Sequence, residues 1–319
     1  MIEIKNVSKK FGTLRAVDDL TLEVGPGELY GFIGPNGAGK STTMKMLACL
    51  LRPDSGTARV CGFDVRKDGD EIRRVLGYMP DYLGVYDDLT VDEYLQFFAA
   101  AFRIARSKRR GLIDEVLKLT DLTEKRRAMV SSLSRGMTQR LGVARVLLHD
   151  PKVLLLDEPA SGLDPRARIE MRELLVELRR MGKCLMVSSH ILSELAEMST
   201  SIGIIERGKL LYTGSIEDAY ERVRGGERIT IALEAMPENG DADAWMSPQR
   251  AAEVLRADAR VVKSEVENGK LHIELTPEQR SHHFVIELLV RAGARIAAFE
   301  PKGVKLEDAF LKLTKGAVQ

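Results

Sequence analysis

The stretch Gly34-Pro35-Asn36-Gly37-Ala38-Gly39-Lys40-Ser41 fits the pattern G-x-x-x-x-G-K-[ST], and its surroundings constrain the chain more than any other segment. A short apolar strand, Leu29 to Ile33, runs into it. Behind it, Met44, Leu47 and Leu51 fall on one helical stripe that Pro53 and Gly56 should stop. Strand, glycine-rich loop and helix in that order predict a phosphate-binding loop within an α/β sheet. The residue types follow from the chemistry. Glycines let backbone N–H groups converge on a β-phosphate with no Cβ in the way, and the helix turns its positive end to the same anion. Gly34, Asn36, Gly37, Ala38 and Gly39 are the expected cradle. Lys40 adds a point charge for the β- and γ-oxygens, the Ser41 hydroxyl is a ligand for Mg²⁺, and Thr42 reaches the α-phosphate. A glycine-rich turn with a surface lysine is the bland alternative, and the flanking strand and helix weigh against it.

A second apolar strand, Val153 to Leu156, ends in Asp157-Glu158. A carboxylate at the end of a buried strand can hold Mg²⁺ directly or through water, which is the expected role of Asp157. Glu158, one residue on, can orient and deprotonate an attacking water. Solvated carboxylates at a strand end would look the same in isolation. Together with the phosphate loop they say nucleoside triphosphatase.

Strands alternating with helices along the first two thirds argue for a mostly parallel α/β sheet. Within it, residues 89–150 turn helical and read as an insertion; Thr90 with Glu93 three residues later forms a capping-box pattern. The character changes around Arg224-Gly225-Gly226, so the domains expected are 1–224 and 225–319. The second reads strand, helix, strand, strand, helix, strand from Arg228 to Phe299, with Asn268-Gly269 as a two-residue hairpin between the middle strands. That is a ferredoxin-like βαββαβ plan in a small α+β domain. Glu238 to Trp245 reads as a polar loop.

Several function classes drop out on composition. Lys and Arg number 48 against 47 Asp and Glu, a net charge of +1, which gives no electrostatic case for nucleic acid. The basic run from Arg103 to Arg110 has no interleaved aromatics and reads as a solvated helix face. Cys49, Cys61 and Cys184 lie far apart with no C-x-x-C pair, against a zinc site or disulfide framework. The longest apolar runs fall far short of the ~20 residues of a membrane helix, and the opening MIEIKNVSKK lacks a signal-peptide stretch. The expectation is a soluble cytoplasmic protein that reaches a membrane only through another subunit.

Leu133-Ser134-Arg135-Gly136-Met137-Thr138-Gln139-Arg140 narrows the class. It resembles the signature motif of ABC ATPases, usually Leu-Ser-Gly-Gly-Gln: Ser134 and Gly136 match, Arg135 and Met137 depart. Ser161-Gly162-Leu163-Asp164 looks like that family's D-loop, and His190 in Ser188-Ser189-His190 like its switch histidine at the γ-phosphate. Phe11, before a glycine, resembles the aromatic that stacks on adenine, although a core or turn aromatic would look the same. The resemblance covers roughly residues 1–220. It implies the P-loop NTPase (ABC ATPase) fold, ATP and Mg²⁺ as cofactors, and catalysis by Glu158, His190 and Lys40. It also implies a head-to-tail dimer with a second copy or a homologous cassette, in which Ser134 and Gly136 meet the γ-phosphate held by the partner's P-loop.

At the family's glutamine loop, Gly77-Tyr78-Met79-Pro80 matches the approach but Asp81 stands where Gln is usual. Asp still offers Mg²⁺ or water an oxygen, donates no N–H, and adds negative charge near phosphates. Tyr82 to Tyr86 would line the groove that receives a permease's cytoplasmic helix, or serve only as an apolar linker. The ending, with Leu306, Phe310 and Leu313 on one stripe, looks like the tail of ATPase subunits of ABC-2 type exporters. The resemblance thus implies a transport ATPase driving export through a separate integral-membrane permease, peripheral on the inner face of the cell membrane. Rivals are ABC ATPases acting on ribosomes or DNA, which carry two cassettes or long heptad insertions, and a cytosolic assembly ATPase.

Overall fold

The computed structural model describes residues 1–84, 86–223, 228–234, 246–276, 279 and 281–302. The chain divides into two units, Met1–Ile216 and Glu217–Gln319. In chain order the first holds β1 (Ile2–Phe11), β2 (Leu14–Val24), β3 (Leu29–Ile33), α1 (Lys40–Leu47), β4 (Ser55–Val60), β5 (Phe63–Asp64), α2 (Gly69–Val75) and β6 (Leu76–Met79). The helical insertion follows as α3 (Val91–Ala101), α4 (Arg106–Leu119) and α5 (Arg135–Leu147). Then come β7 (Val153–Leu156), α6 (Pro165–Arg180), β8 (Cys184–Ser189), α7 (Leu192–Ala196), β9 (Ser201–Glu206) and β10 (Lys209–Ser215), and α8 (Ile216–Val223) begins at the boundary and runs into the second unit. The second unit carries β11 (Arg228–Leu233), α9 (Pro248–Arg256), β12 (Val261–Glu267), β13 (Lys270–Leu275), α10 (His283–Arg291) and β14 (Ile296–Lys302).

Six strands form the central sheet in the order β10-β9-β3-β8-β7-β6, parallel except at the β10 edge. Every residue of β3 and β7 is buried, as uniformly apolar strands covered on both faces must be. Each fully buried Leu or Phe there contributes about 1.5–3 kcal/mol. A second sheet, β2-β1-β4-β5, is antiparallel and shares a core with the first through Ile2, Leu22, Phe32 and Val60. The β1–β2 hairpin turns at Gly12, φ 58°, so Phe11 ends a strand rather than entering the core.

Thr90 caps α3 as a capping box, its hydroxyl accepting from Glu93 N while the Glu93 carboxylate accepts from Thr90 N at 2.9 Å. α4 starts at Arg106, earlier than the apolar stripe from Leu112 suggests, because its first turns are the basic run and face solvent. α1 stops at Leu47, so Leu51 is not on it; Cys49 at φ 59° turns the chain out of the helix.

In the second unit the strand order is β12-β13-β11-β14, all antiparallel, which is the ferredoxin-like order. Asn268 (φ 51°) and Gly269 (φ 75°) make the hairpin between β12 and β13. Ile229, Ile231, Leu271 and Ile273 on one face pack against Leu255, Phe284 and Leu289 of the two helices. The sequence readings at Arg224 to Gly226, Glu238 to Trp245 and Leu306 to Leu313 lie outside the described residues. Among the described residues no helix is long and apolar enough to cross a membrane.

Candidate active site

The loop between β3 and α1 is pinned from both sides. Gly34 N donates to Ser189 O at 3.3 Å, and Gly208 N donates to Ala38 O at 2.9 Å. Gly39 sits at φ 111°, and a Cβ there would stand 2.4 Å from Ala16 O, so only glycine fits both the backbone angle and the space. The amides of Gly37, Gly39, Lys40 and Ser41 donate to no backbone carbonyl among the described residues. They form an unpaired row at a helix N-terminus, the arrangement that cradles an anion. Asn36 lies on the exposed rim, Ala38 is buried beneath it, and Ser41 and Thr42 are half-buried in the first turn of α1.

Lys40 is only 5% exposed. Its Nζ donates to Gly34 O at 2.6 Å and Pro35 O at 3.3 Å, and lies 3.2 Å from Glu158 Oε1 without hydrogen-bond alignment. Glu158 Oε2 lies 2.8 Å from His190 Nδ1. One buried carboxylate therefore stands between the loop lysine and the histidine that follows β8. Its backbone adopts φ 51°, unusual for a residue with a side chain, and is held there by Glu158 N donating to Ser188 Oγ at 2.9 Å. Ser188 Oγ in turn donates to Asp157 Oδ1 at 2.6 Å. Ser188 has no role in the sequence analysis; its signal is a fully buried hydroxyl at the end of an apolar strand beside the acidic pair.

Asp81 follows β6 at the same edge of the sheet and is exposed. Partial burial raises its carboxyl above the usual range, and the negative charges of Asp157 and Glu158 raise it further. Among the described residues no group of three or more His, Cys, Asp or Glu side chains could hold a metal by itself. Ser41 and Asp157 fit Mg²⁺ on donor chemistry, since that ion takes one or two protein oxygens and completes its shell with phosphates and water.

Phe11 is 47% exposed with Lys9 Nζ 5.6 Å from its ring centre, a surface aromatic rather than a core one. Ser134 caps α5, its Oγ accepting from Met137 N at 3.4 Å, and Gly136 follows in the first turn. Tyr82, 86% exposed, leads to an aromatic ledge in which Tyr86 packs on Phe97 and Phe98, and Phe98 packs on Tyr94.

Residues 17–161 match the ABC transporter family. The chain is 36% identical over 98% of its length to YhcH, an uncharacterized ABC transporter ATP-binding protein of Bacillus subtilis, 96% of which is covered. It is 32% identical over its full length to a Nod factor export ATP-binding protein I of Burkholderia orbicola, 98% of which is covered. Among solved structures it is similar to the dimeric ATP-binding cassette MJ0796 in a post-hydrolysis state bound to ADP and Pi. The TM-score is 0.61 at 26% identity, across 68% of this chain and 99% of that one. With a phosphate cradle backed by a buried lysine and an acidic strand end, and with this similarity to such relatives along its length, the chain belongs to the ABC transporter ATP-binding proteins.

Proposed function

We propose that this chain hydrolyses ATP to drive transport, in a head-to-tail pair with a second copy or homologous cassette, on a separate integral-membrane permease. The observation that carries the reading is the Glu158 carboxylate held between Lys40 and His190 at the mouth of the phosphate loop. Lys40 would exchange its contacts with Gly34 O and Pro35 O for the β- and γ-phosphates. Glu158 would then take the proton of the attacking water, and His190 would turn to the γ-phosphate. Mg²⁺, held by Ser41 and Asp157 with Asp81 near, would neutralise charge on the phosphate oxygens. Gly34, Asn36, Gly37, Ala38, Gly39 and Thr42 bind the phosphates, and Phe11 stacks on adenine.

Ser134 and Gly136 would complete the partner's site, since the amides that open α5 suit an anion. The dimeric state and bound ADP and Pi of the MJ0796 structure support both pairing and hydrolysis. The exposed ledge of Tyr82, Tyr86 and Phe97 suits a permease's cytoplasmic helix. The name of the Burkholderia relative supports export as the direction. The domains are read as 1–224 for ATP and 225–319 as an accessory unit, the whole peripheral on the inner face of the cell membrane. The test is affinity purification from solubilised membranes followed by reconstitution into vesicles. An integral-membrane subunit that co-purifies and raises the ATPase rate supports the reading. A chain that hydrolyses ATP but recovers no membrane subunit opposes it.

A further inference from the structure

The signature segment and His190 are joined within this chain by one helix, α6. Arg135, at a position where the family usually has glycine, lays its guanidinium on the backbone of Gly162. A Cβ at that position would stand 2.4 Å from the guanidinium carbon. The start of α5 rests on the first turn of α6, where a Cβ on Gly136 would stand 2.9 Å from Cβ of Ala167. One turn further on, Arg140, 9% exposed, reaches Glu170 at 3.6 Å. The signature end of α5 therefore cannot shift without α6.

The opposite flank of α6 is tied to α7. Arg168 Nη1 lies 3.2 Å from Glu194 Oε1, and Arg172, one turn on, pairs with Glu197. Two arginines a turn apart on α6 thus meet one glutamate on α7 and one at its C-cap, so sliding one helix along the other would break both pairs. Arg168 also donates from Nε to Leu163 O at 3.0 Å, so one guanidinium grips the loop before α6 and the helix after His190. Glu194 Oε2 accepts from Ser189 Oγ at 3.3 Å, and Ser189 Oγ accepts from Ile191 N at 3.0 Å. Those contacts fasten the residues on both sides of His190.

We propose that Arg168 is a positioning residue that carries displacement of the signature segment, through α6 and Glu194, to His190. The proposal rests on the reading above, in which Ser134 and Gly136 meet the partner's ATP and His190 meets the chain's own. In a paired enzyme the linkage tells one site that the other is filled. A guanidinium suits the task because its Nε–H donates to Leu163 O while its Nη1 holds Glu194 by charge, 3.2 Å from Oε1 without hydrogen-bond alignment, so one side chain reaches two elements.

The test measures kcat, KM for Mg-ATP and melting temperature of the full chain for Arg168→Gln, Glu194→Gln and the double variant. Each single variant should lower kcat about tenfold, leave KM within about twofold, and the double should lose no more than either alone. Should Arg168→Gln prove insoluble, Glu194→Gln carries the same expectation. Wild-type kcat in a soluble single variant, a loss confined to KM, or losses that multiply in the double overturns the linkage. The underlying reading is scored separately on Glu158→Gln. Its inactivity beside a fully active Arg168→Gln removes the linkage alone, whereas its full activity removes the reading of Glu158.

Discussion

Glu158 and His190 meet at 2.8 Å, Oε2 to Nδ1, although they leave different strands, β7 and β8. Both are held from behind: Glu158 through Ser188, and His190 through its neighbours Ser189 and Ile191. The pair is thus arranged by the sheet rather than by a loop, and its consequences can be measured.

Glu158→Gln keeps the shape and the acceptor oxygen and removes the base. Hydrolysis should fall by about 10²–10⁴-fold, the usual span for a lost general base, with ATP binding retained. Sedimentation with Mg-ATP should show a dimer that persists. Normal turnover would sink the assignment.

Lys40→Ala removes a buried cation that faces two carbonyls and Glu158. A charged hydrogen bond is worth about 1.5–3 kcal/mol, so ATP affinity should drop by roughly 10- to 150-fold. The variant should also melt lower, because a buried carboxylate has lost a partner, and adding Glu158→Gln should recover part of that loss. Calorimetry and a fluorescent ATP analogue read both effects.

Asp81→Gln preserves an oxygen and removes a negative charge from the surroundings of Asp157 and Glu158. Hydrolysis should stay within about tenfold of wild type, or about 1.4 kcal/mol of barrier. Asp81→Ala should reduce permease-stimulated hydrolysis more than basal hydrolysis. Equal stimulation in wild type and Asp81→Ala would make this residue a bystander.

His149 stacks on Phe102 at 4.3 Å between ring centres, and its Nε2 lies 3.1 Å from Leu76 O, while Nδ1 is buried without a partner. Burial holds its pKa below the usual histidine value. The neutral ring is therefore the folded form. Its stabilising contribution is complete above about pH 6.5 and is lost as the pH falls toward the lowered folded value. His149→Gln keeps a donor for Leu76 O and does not titrate there, so its melting temperature should fall less steeply with acid than wild type's. Parallel slopes in the two proteins would exclude the mechanism.

The phosphate loop, the acidic strand end and the βαββαβ unit were legible because each is written locally: glycines at fixed offsets, an apolar run, the Asn268-Gly269 turn. β4, β5 and α2 were not. Of the six residues in β4 only Ala58 and Val60 are buried, so its alternation is too short to register. α4 gave no apolar signal before Leu112 because its opening turns are solvated. Ser188 behind Glu158, and Arg168 between Leu163 and Glu194, depend on which elements pack together. No spacing along the chain encodes that.

The placement of β3 also governs when the protein can first work. Its two neighbours in the sheet are β8 and β9, so residues 29–33 find their partners only at 184–189 and 201–206. The clamps on the loop itself, from Ser189 and Gly208, lie equally late. A chain emerging from the ribosome carries its nucleotide motif early but owns no site until nearly two thirds of it has been made. Closing such distant contacts is slow, and the apolar strand β3 stays exposed meanwhile. A polypeptide released before Gly208 should therefore withdraw no nucleotide from the cell's pool. It is left to the proteases as an unfinished chain, not a half-active one.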